Sequence, residues 1–478
     1  MAVDYPEVQM YIDGGWTAGS GNRRQPIFNP ATEQVLGEVP VAEITDLDRA
    51  LAAAARGFAQ WRDTAIETRT RILLQAARLL RERAATIGQI MTLEQGKPVT
   101  EARGEVARAA GIIQWDAEEA RRAYGRIIPV DTQSQLIVLR EPVGPVAAFT
   151  PWNFPAGSPT RKIAAALAAG CSIIIKASEE VPATACELVR CFVDAGIPSG
   201  VLNLVYGVPE EISSHLIASP VIRFVAFTGS IPVGKHLAGL AARVMKPAVM
   251  ELGGHAPVIV CDDVDPVVAA RSCVSGKFIN AGQVCTSPSR FIVDARIAEP
   301  FTAAFVEAAS KLVVGNGLEP NVQMGPLANE RRVQAVQQLV DEAVTQGARV
   351  RCGGRRPAGR GYFFQPTVLT DVGEQSGLMQ IEPFGPVAPI CAFTDLEDAL
   401  RLANSLSYGL AAYGYTHSAA RANLLMRRLE AGILSINHVG GSVVEAPSGG
   451  YKESGYGREG GSEGLEGYLV TKRVSHRF

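Results

Sequence analysis

The stretch IRFVAFTGSIPVG, residues 222–234, places an apolar β-prone run directly before the turn residues TGS, 228–230. Pro232 suits the first turn of a helix, so the pattern predicts a strand, a tight turn and a helix N-terminus. Four similar runs, VAAFTP, CSIIIK, VLNLV and AVMEL, occur between residues 144 and 252, with helix-forming sequence between them. This alternation is typical of a parallel sheet covered by helices.

A second group of apolar runs follows the first. It starts at PVIV, near Pro257, and continues through RFIVD, residues 290–294, to VAPICAF, residues 387–393. Ahead of both groups, residues 45–123 repeat apolar side chains every three or four positions, which predicts amphipathic helices. GRIIPVDTQSQLIVLREPVG alternates apolar and polar residues, as in a hairpin or edge strand, and the C-terminal YLVTKRVSHRF predicts a last strand. The sequence therefore predicts an α/β protein with two lobes and a small β appendage.

The composition excludes several classes of function. The chain has 478 residues, enough for two or three domains, and a formal charge of −2. Its lysines and arginines are dispersed, which favours solvated faces over a nucleic-acid site. The N-terminus lacks a signal peptide's basic and apolar regions, and the most apolar run, Ile163 to Ile175, is too short to span a bilayer. We therefore expect a cytoplasmic protein without nucleic-acid or membrane partners.

Most of the eight cysteines are expected to be inert. No CxxC pair occurs and no histidine stands at metal-ligand spacing beside them, so no metal site is predicted. In a large chain without an export signal, such thiols are typically reduced and buried as small apolar groups. Cys285 differs because it lies in the polar run NAGQVCTSPSR, residues 280–290.

Two predicted strand ends carry features suited to a nucleotide. At FTGSIPVG, free backbone N–H groups at a helix N-terminus would suit a pyrophosphate, and Gly229 and Gly234 would allow close approach. An ordinary βα turn explains that pattern equally well. In IIIKASEE, Lys176 could donate to ribose hydroxyls and Glu179 accept from them, and Glu179 would repel a 2′-phosphate. The alternative is a helix N-cap near Ser178.

Two further strand ends carry polar groups suited to catalysis. Glu251 ends the strand VMEL, where burial would raise its proton affinity toward that of a general base, and Gly253 and Gly254 would leave room for a ligand. A structural carboxylate that caps the next helix is the simpler account. In PWNFP, flanking prolines would present the amide of Asn153 rigidly to an oxyanion, although a turn asparagine is equally compatible.

Taken in order, PWNFP, KASE, FTGS, MELGGHAP, GQVC and EPFGP resemble the NAD(P)-dependent aldehyde dehydrogenase superfamily. The resemblance extends from YIDGGW to the terminal YKESGYGRE and so covers nearly the whole chain. It implies the fold of that superfamily, with two Rossmann-type α/β domains and a small β oligomerisation arm. Residues 1–122 and 142–252 would form the NAD-binding domain, residues 253–465 the catalytic domain, and residues 123–141 and 466–478 the arm. Members pair through that arm, so a homodimer or homotetramer is expected.

The resemblance also implies roles for residues at matching positions. Cys285 would be the nucleophile, Glu251 the general base, and Asn153 with the backbone N–H of Cys285 the oxyanion hole. Lys162 and Glu459 match positions that some members use to relay protons. NAD, or alternatively NADP, would be held by residues at strand ends and in EPFGP: Thr150, Pro151, Trp152, Lys176, Ser178, Glu179, Gly229, Ser230, Gly234, Leu252, Glu382 and Phe384.

The chemistry of aldehyde oxidation needs these residue types. A carbonyl carbon must become tetrahedral before it gives up hydride, and a cysteine thiolate is well suited to add to it. The oxyanion that forms needs hydrogen-bond donors, and a carboxylate base can then activate the water that hydrolyses the thioester. The expected product is a carboxylic acid.

The motifs most resemble the succinate-semialdehyde dehydrogenase branch, whose members clamp a distal carboxylate with two arginines. Arg161 matches the first arginine, but Ile279 replaces the second. The predicted substrate is succinate semialdehyde or a related semialdehyde, with an aromatic or medium-chain apolar aldehyde as the alternative. Ser287 stands where some members carry a second cysteine, so no disulfide switch is expected there.

Two alternatives to aldehyde oxidation are also compatible with the sequence. A cysteine hydrolase or acyltransferase could use Cys285 with a histidine such as His255, although the sequence contains no dedicated Cys-His motif. A non-catalytic relative of the superfamily is the second rival. The presence of Cys285, Glu251 and Asn153 argues against it.

Overall fold

The structure is a computed structural model that describes residues 4–440 and 443–478. Its strands are β1 (Met10–Ile12), β2 (Gly15–Thr17), β3 (Arg24–Phe28), β4 (Val35–Pro40), β5 (Arg126–Pro129), β6 (Ser134–Pro142), β7 (Val146–Phe149), β8 (Ile173–Lys176), β9 (Leu202–Val205), β10 (Phe224–Gly229), β11 (Ala248–Leu252), β12 (Ala256–Val260), β13 (Pro288–Asp294), β14 (Arg349–Cys352), β15 (Thr367–Thr370), β16 (Val387–Phe393), β17 (Ala411–Tyr415), β18 (Ile433–Ile436), β19 (Gly455–Tyr456) and β20 (Leu469–Arg477).

The α-helices are α1 (Ile44–Arg62), α2 (Ile66–Glu82), α3 (Ala84–Gln95), α4 (Val99–Glu119), α5 (Gly157–Ala169), α6 (Pro182–Asp194), α7 (Pro209–Ala218), α8 (Ile231–Arg243), α9 (Pro266–Lys277), α10 (Ala298–Ser310), α11 (Glu330–Thr345), α12 (Gly377–Gln380), α13 (Leu396–Asn404) and α14 (Ala419–Arg428). Short 3₁₀ turns occupy residues 120–122, 279–282, 452–454 and 463–468. No helix in the described ranges is long and apolar enough to cross a membrane.

The first group of apolar runs forms an eight-stranded sheet in the order β19-β11-β10-β7-β8-β9-β1-β2. Strands β11 to β9 in that order are parallel, whereas β19, β1 and β2 add antiparallel edges. The central strands β7, β8 and β9 are fully buried because helices cover both faces, which is why they are almost wholly apolar. The predicted parallel sheet is confirmed.

The second group forms a seven-stranded sheet in the order β14-β15-β16-β13-β12-β17-β18. All pairs are parallel except β14 with β15. Its central strand β13 is buried throughout, and Phe291 from that strand packs against Phe301 and Phe305 of α10. The predicted boundary between residues 252 and 253 falls between β11 of the first sheet and β12 of the second.

A three-stranded antiparallel sheet, β20-β6-β5, forms the appendage. The hairpin and the last strand predicted from sequence are both present, and the nine residues of β20 pair with β6 from Leu469–Pro142 to Arg477–Ser134. This arm exposes apolar side chains, including Ile127, which is 63% exposed, and Val470, which is 42% exposed.

The C-terminal glycine-rich segment returns the chain to the first sheet. Gly455 has a φ of +122°, and a Cβ on it would lie 1.8 Å from the carbonyl oxygen of Met250, so only glycine allows β19 to pair with β11. The described part of this segment is therefore held against the first sheet, whereas Gly441 and Ser442 lie outside the described residues. The segment 253–465, assigned to the catalytic domain, thus also contributes a strand to the first sheet.

Candidate active site

One cavity brings residues of both lobes together. It has a volume of about 180 Å³ and lies where α4, α5 and the end of β11 meet the segment before β13. Among the predicted site residues, Cys285, Glu251, Arg161 and Glu459 line it. The remaining lining residues are Glu105, Arg108, Ile112, Phe154, Gly157, Ser158, Thr228, Val284, Thr286, Tyr413, Ile433, Gly440 and Ser448.

Cys285 is presented by a backbone turn of unusual conformation. Asn280, Ala281 and Gly282 have φ values of 49°, 53° and 73°, and such left-handed conformations are rare for residues other than glycine. A Cβ on Gly282 would lie 2.2 Å from the carbonyl oxygen of Gly385, so the turn packs closely against the segment that precedes β16. Strain of this kind persists only where the surroundings hold it, and it is often found at functional sites.

Buried hydrogen bonds hold this turn. The side chain of Gln95 donates to Asn280 Oδ1 at 2.8 Å, and Glu101 accepts from the backbone N–H of Asn280 at 2.9 Å. Gln283 is fully buried, and its Oε1 accepts from the N–H of Ala328 at 2.9 Å. Sequence inspection missed these supporting residues because the first two lie more than 170 positions from the turn.

The Cys285 thiol is half-buried and faces two carboxyl groups. Burial raises its pKa to about 12, and Glu251 and Glu382 add to the increase. The thiol is therefore largely protonated at neutral pH in this environment and needs help to ionise. None of the other seven cysteines lines the cavity, and the five at positions 171, 186, 191, 261 and 273 are buried, as expected for inert thiols.

Glu251 lies near the carboxyl end of β11, beside Thr228 of β10 in the parallel register. Its side chain is 8% exposed, and burial raises its pKa to about 8, with the charge of Glu459 adding to the increase and Lys162 opposing it. Its Oε1 is buried and has no hydrogen-bond partner within the described chain. Glu251 caps no helix, because the next element is β12. This placement suits a base that accepts a proton inside the cavity.

Lys162 and Glu459 form a buried ion pair next to Glu251. Lys162 lies on α5 and also donates to Thr228 Oγ1 at 2.6 Å. Glu459 comes from the C-terminal loop, which β19 anchors to β11. Thr228, Lys162 and Glu459 thus form a short hydrogen-bonded chain of polar groups beside Glu251.

Asn153 is buried, and its side-chain amide donates to the carbonyl oxygen of Gln283 at 3.1 Å. The backbone oxygen of Asn153 accepts from Lys97 Nζ at 2.8 Å and from Asn280 Nδ2 at 2.9 Å. Asn153 is therefore bound to the turn that carries Cys285. Since a primary amide has two N–H groups, one donor remains beyond the bond to Gln283.

The carboxyl edge of the first sheet gathers the predicted nucleotide residues. Thr150, Lys176, Gly229 and Leu252 follow or end the neighbouring strands β7, β8, β10 and β11. Thr150 Oγ1 is buried without a hydrogen-bond partner in the described part of the chain, which leaves a donor and acceptor for a ligand. Ligands of open α/β sheets bind at this edge, so the arrangement fits a dinucleotide.

Lys176 and Glu179 form an ion pair at this edge, with the Lys176 side chain 7% exposed and that of Glu179 26% exposed. Helix α6 begins only at Pro182, so Glu179 does not cap it. Ser178 Oγ instead accepts from the N–H of Glu180 at 3.3 Å, which stabilises the turn.

The predicted turn between β10 and α8 is present, but two glycines, Gly234 and Gly253, have roles different from the predicted ones. Ser230 occupies the N-cap position of α8 without a side-chain cap bond. A Cβ on Gly234 would lie 2.4 Å from the Leu252 side chain, so Gly234 allows α8 to pack on β11 rather than a ligand to approach. Likewise, Gly253 makes room for Glu382, because a Cβ there would lie 2.4 Å from Glu382 Oε2.

The EPFGP segment lies across the cleft from PWNFP. Glu382 accepts from the N–H of Gly254 at 3.2 Å, and burial raises the pKa of its carboxyl to about 8. Phe384 has a φ of 42°, and its ring meets Trp152 edge-on with the ring centroids 5.5 Å apart. Pro151 is half-buried in the same segment as Trp152. These contacts fix the two sides of a slot at the sheet edge.

The structure separates the two predicted substrate residues. Arg161 lines the cavity, whereas Ile279 is 44% exposed and is not part of its lining. The assignment of Ile279 to the substrate site therefore stays a prediction.

His255 does not pair with Cys285. It is 1% exposed, its Nδ1 lies 2.8 Å from Ser289 Oγ, and its Nε2 lies 3.2 Å from the carbonyl oxygen of Leu378. Burial lowers its pKa well below the usual value, which keeps the imidazole neutral. A Cys-His hydrolase at this cavity is therefore not supported.

Comparison with known proteins identifies the family to which this architecture belongs. The model of the aldehyde dehydrogenase family matches residues 16–474. The chain is 48% identical over 465 residues to 4-(hydroxymethyl)benzenesulfonate dehydrogenase TsaD1 of Comamonas testosteroni, covering 97% of both proteins. It is 40% identical to the succinate-semialdehyde dehydrogenase [NADP(+)] GabD of Escherichia coli strain K12, covering 97% of this chain and 96% of GabD.

A crystal structure of succinate-semialdehyde dehydrogenase from Burkholderia pseudomallei superposes with a TM-score of 0.96 at 40% identity, covering 99% of this chain and 98% of that one. The fold and cavity thus define an α/β dehydrogenase. The chain belongs to the aldehyde dehydrogenase family. The predicted superfamily and its fold are confirmed.

Proposed function

We propose that the protein oxidises a small aldehyde to the carboxylic acid with NAD or NADP, through a covalent intermediate on Cys285. The observation that carries the proposal is the shared cavity, in which the thiol of Cys285 and the carboxyl of Glu251 line one space. The resemblance to proteins named as succinate-semialdehyde and benzenesulfonate dehydrogenases supports a small substrate with an acidic group.

The first chemical step takes place at Cys285. The Cys285 thiol first loses its proton to solvent, and the thiolate adds to the carbonyl carbon to form a thiohemiacetal, whose oxyanion is stabilised by the free N–H of the Asn153 amide and the N–H of Cys285. The hydrogen bond from Asn153 to Gln283 keeps this amide beside the nucleophile. Loss of hydride from the thiohemiacetal leaves a thioester on Cys285.

Glu251 acts in the second half of the reaction. Its raised pKa lets it take a proton from water, and the resulting hydroxide attacks the thioester and releases the acid and the Cys285 thiolate. Lys162 and Glu459 lie behind it and can carry that proton away from the cavity.

The carboxyl edge of the first sheet holds the dinucleotide. Lys176 and Glu179 bind a ribose, the turn at Gly229 and Ser230 binds the pyrophosphate, and Glu382 with Phe384 orients the nicotinamide end. When bound, the dinucleotide supplies the hydride acceptor. NAD is the favoured form, because the carboxylate of Glu179 would repel a 2′-phosphate.

The exposed apolar strands of the arm support assembly into a homodimer or homotetramer. Light scattering on the purified protein measures this directly. A mass equal to one chain would refute it.

The decisive experiment on catalysis follows reduced nicotinamide while the protein is mixed with aldehydes and NAD or NADP. We expect Cys285→Ala to lower kcat at least about 10³-fold, because the covalent step is lost. Cys352→Ala, which removes a half-buried thiol that does not line the cavity, should retain full activity. Turnover that survives C285A, or no turnover of any aldehyde by the wild type, would refute the proposal.

A further inference from the structure

Two neighbouring helices each place an arginine on the outer wall of the cavity. On α4, Glu105, Arg108 and Ile112 are three and four residues apart and all line the cavity, so Arg108 lies on the face that α4 turns toward it. On α5, Arg161 lines the cavity one turn after Gly157 and Ser158. Since α4 packs against α5, both cations belong to one wall of the cavity.

Two of the three acids that line the cavity are already paired, and the pKa of the third, Glu251, is raised to about 8 by burial, so at neutral pH it is mostly uncharged. Glu105 binds Lys97 Nζ at 2.6 Å and accepts from the N–H groups of Ala156 and Gly157, both at 2.9 Å. Glu459 pairs with Lys162. In residues 4–440 and 443–478, neither arginine forms a salt bridge with any carboxylate. The wall therefore carries uncompensated positive charge.

Arg161 also has a donor without an acceptor. Its Nη1 is buried and lacks a hydrogen-bond partner within the described residues. Asp116 interacts electrostatically with Arg161, but burial raises the pKa of Asp116 to about 8, so at neutral pH this acid is mostly protonated. A buried, unpaired guanidinium N–H is costly, and an anion that accepts its hydrogen bond would remove that cost.

Five aliphatic or aromatic side chains line the cavity that the arginines share with the thiol. Phe154, Val284, Tyr413 and Ile433 line it together with Ile112. The volume of about 180 Å³ is comparable with the roughly 150 Å³ of an apolar cavity known to bind benzene. A ring fits this space better than a short flexible chain, because the ring fills it without losing rotational freedom.

We propose that the substrate is an aromatic aldehyde with a sulfonate or carboxylate opposite the aldehyde group, and that Arg108 and Arg161 together bind this anion. The inference rests on the proposed function, because the aldehyde end must reach Cys285. Arg108 is a specificity-determining residue that supplies, from α4, the second cation that Ile279 does not provide. The name of the 48% identical relative, a benzenesulfonate dehydrogenase, is in keeping with this assignment.

The kinetic test compares 4-formylbenzenesulfonate, 4-formylbenzoate, succinate semialdehyde and neutral benzaldehyde. For the wild type we expect higher kcat/KM with at least one of the two aromatic anions than with benzaldehyde or succinate semialdehyde. In Arg108→Gln the ratio of anionic to neutral kcat/KM should fall about tenfold, mainly through KM, and Arg108→Lys should restore part of it. Arg103 is exposed on α4 like Arg108 but is not part of the lining, so Arg103→Gln removes the same charge and should leave the ratio unchanged.

The two aromatic anions distinguish a sulfonate substrate from a carboxylate one. A wild type that prefers benzaldehyde or succinate semialdehyde, or an R108Q ratio equal to that of the wild type, would overturn the inference while leaving the proposed function intact. If no aldehyde is oxidised, the proposed function fails instead. Binding of 4-sulfobenzoate, measured by calorimetry, still tests the anion site: its Kd should rise about tenfold in R108Q and not in R103Q, and absence of binding to the wild type would refute the site.

Discussion

The two parallel sheets contribute opposite ends of their strands to the site. In the eight-stranded sheet, the carboxyl ends of β8, β10 and β11 supply Lys176, Gly229 and Glu251. In the seven-stranded sheet, Cys285 precedes β13 and Gly254 precedes β12, so both lie at the amino ends of their strands. The cleft therefore lies between the carboxyl edge of one sheet and the amino edge of the other.

The two edges differ in how the protein holds their functional groups in place. Residues of the first edge extend directly from buried strands, so each side chain is fixed by the sheet itself. The proposed nucleophile of the second edge, Cys285, depends on a left-handed turn held by side chains from α3 and α4. Substitutions at the first edge should consequently remove one chemical function at a time.

The largest effect within this comparison is expected for Glu251→Gln. The variant loses the base that activates water, so steady-state kcat should fall about 10²- to 10³-fold. Formation of the thioester does not need this base, so the first turnover should still give one equivalent of reduced nicotinamide per active site. Rapid-mixing absorbance measures the burst, and mass spectrometry detects the acyl group on Cys285.

The pH dependence sharpens this prediction. The pKa of Glu251 is raised to about 8 by burial and by Glu459, against the opposing charges of Lys162, Arg161 and Arg458. Only the ionised carboxylate accepts a proton, so wild-type kcat should rise as the pH increases through about 8, where hydrolysis is limiting. Asp116→Asn removes another buried acid with a pKa of about 8 and should keep this rise. Loss of the burst in E251Q, or a pH rise that disappears in D116N, would contradict the assignment.

A smaller effect is expected for Glu179→Gln at the same edge. The change removes the negative charge nearest Lys176 and frees its ammonium group for a phosphate. The ratio of kcat/KM for NADP to that for NAD should rise about tenfold. Glu180→Gln is the matched control, since the carboxylate of Glu180 is held by Asn329 and Arg331 instead. Equal cofactor ratios in E179Q and the wild type would remove Glu179 from the ribose site.

The difference between the two sheet edges also determines how much of the site could be predicted from the sequence. The five apolar runs between residues 144 and 252 predicted their strands correctly, and the rule that ligands bind at carboxyl ends of parallel strands then located Lys176 and Glu251. Cys285 obeys no such rule. Its identification required the resemblance to a family, because nothing local shows that the turn before β13 faces β11.

Other features depend on contacts that sequence spacing does not reveal. The bond from Gln95 to Asn280 joins residues 185 positions apart, and the pair of Lys162 with Glu459 joins residues 297 positions apart. Gly234 appeared suited to a ligand, but the packing of α8 on β11 explains it. Arg108 looked like one of many surface charges until the structure placed it on the wall shared with Arg161.

The smallest effect is expected at the second edge, for Ile279→Arg. This change introduces the arginine that the succinate-semialdehyde dehydrogenase branch carries at the matching position. The Ile279 side chain, however, is 44% exposed and does not line the cavity. We therefore expect kcat/KM for succinate semialdehyde to change less than about threefold and stability to change by less than about 0.5 kcal/mol, as for an ordinary surface substitution.

Ile279→Gln separates the added charge from the loss of the apolar side chain. A tenfold gain in I279R that is absent from I279Q would show that the second edge, rather than α4, sets the charge specificity. Because R108Q leaves the Cys285 turn unchanged, the two substitutions together decide which element recognises the anion.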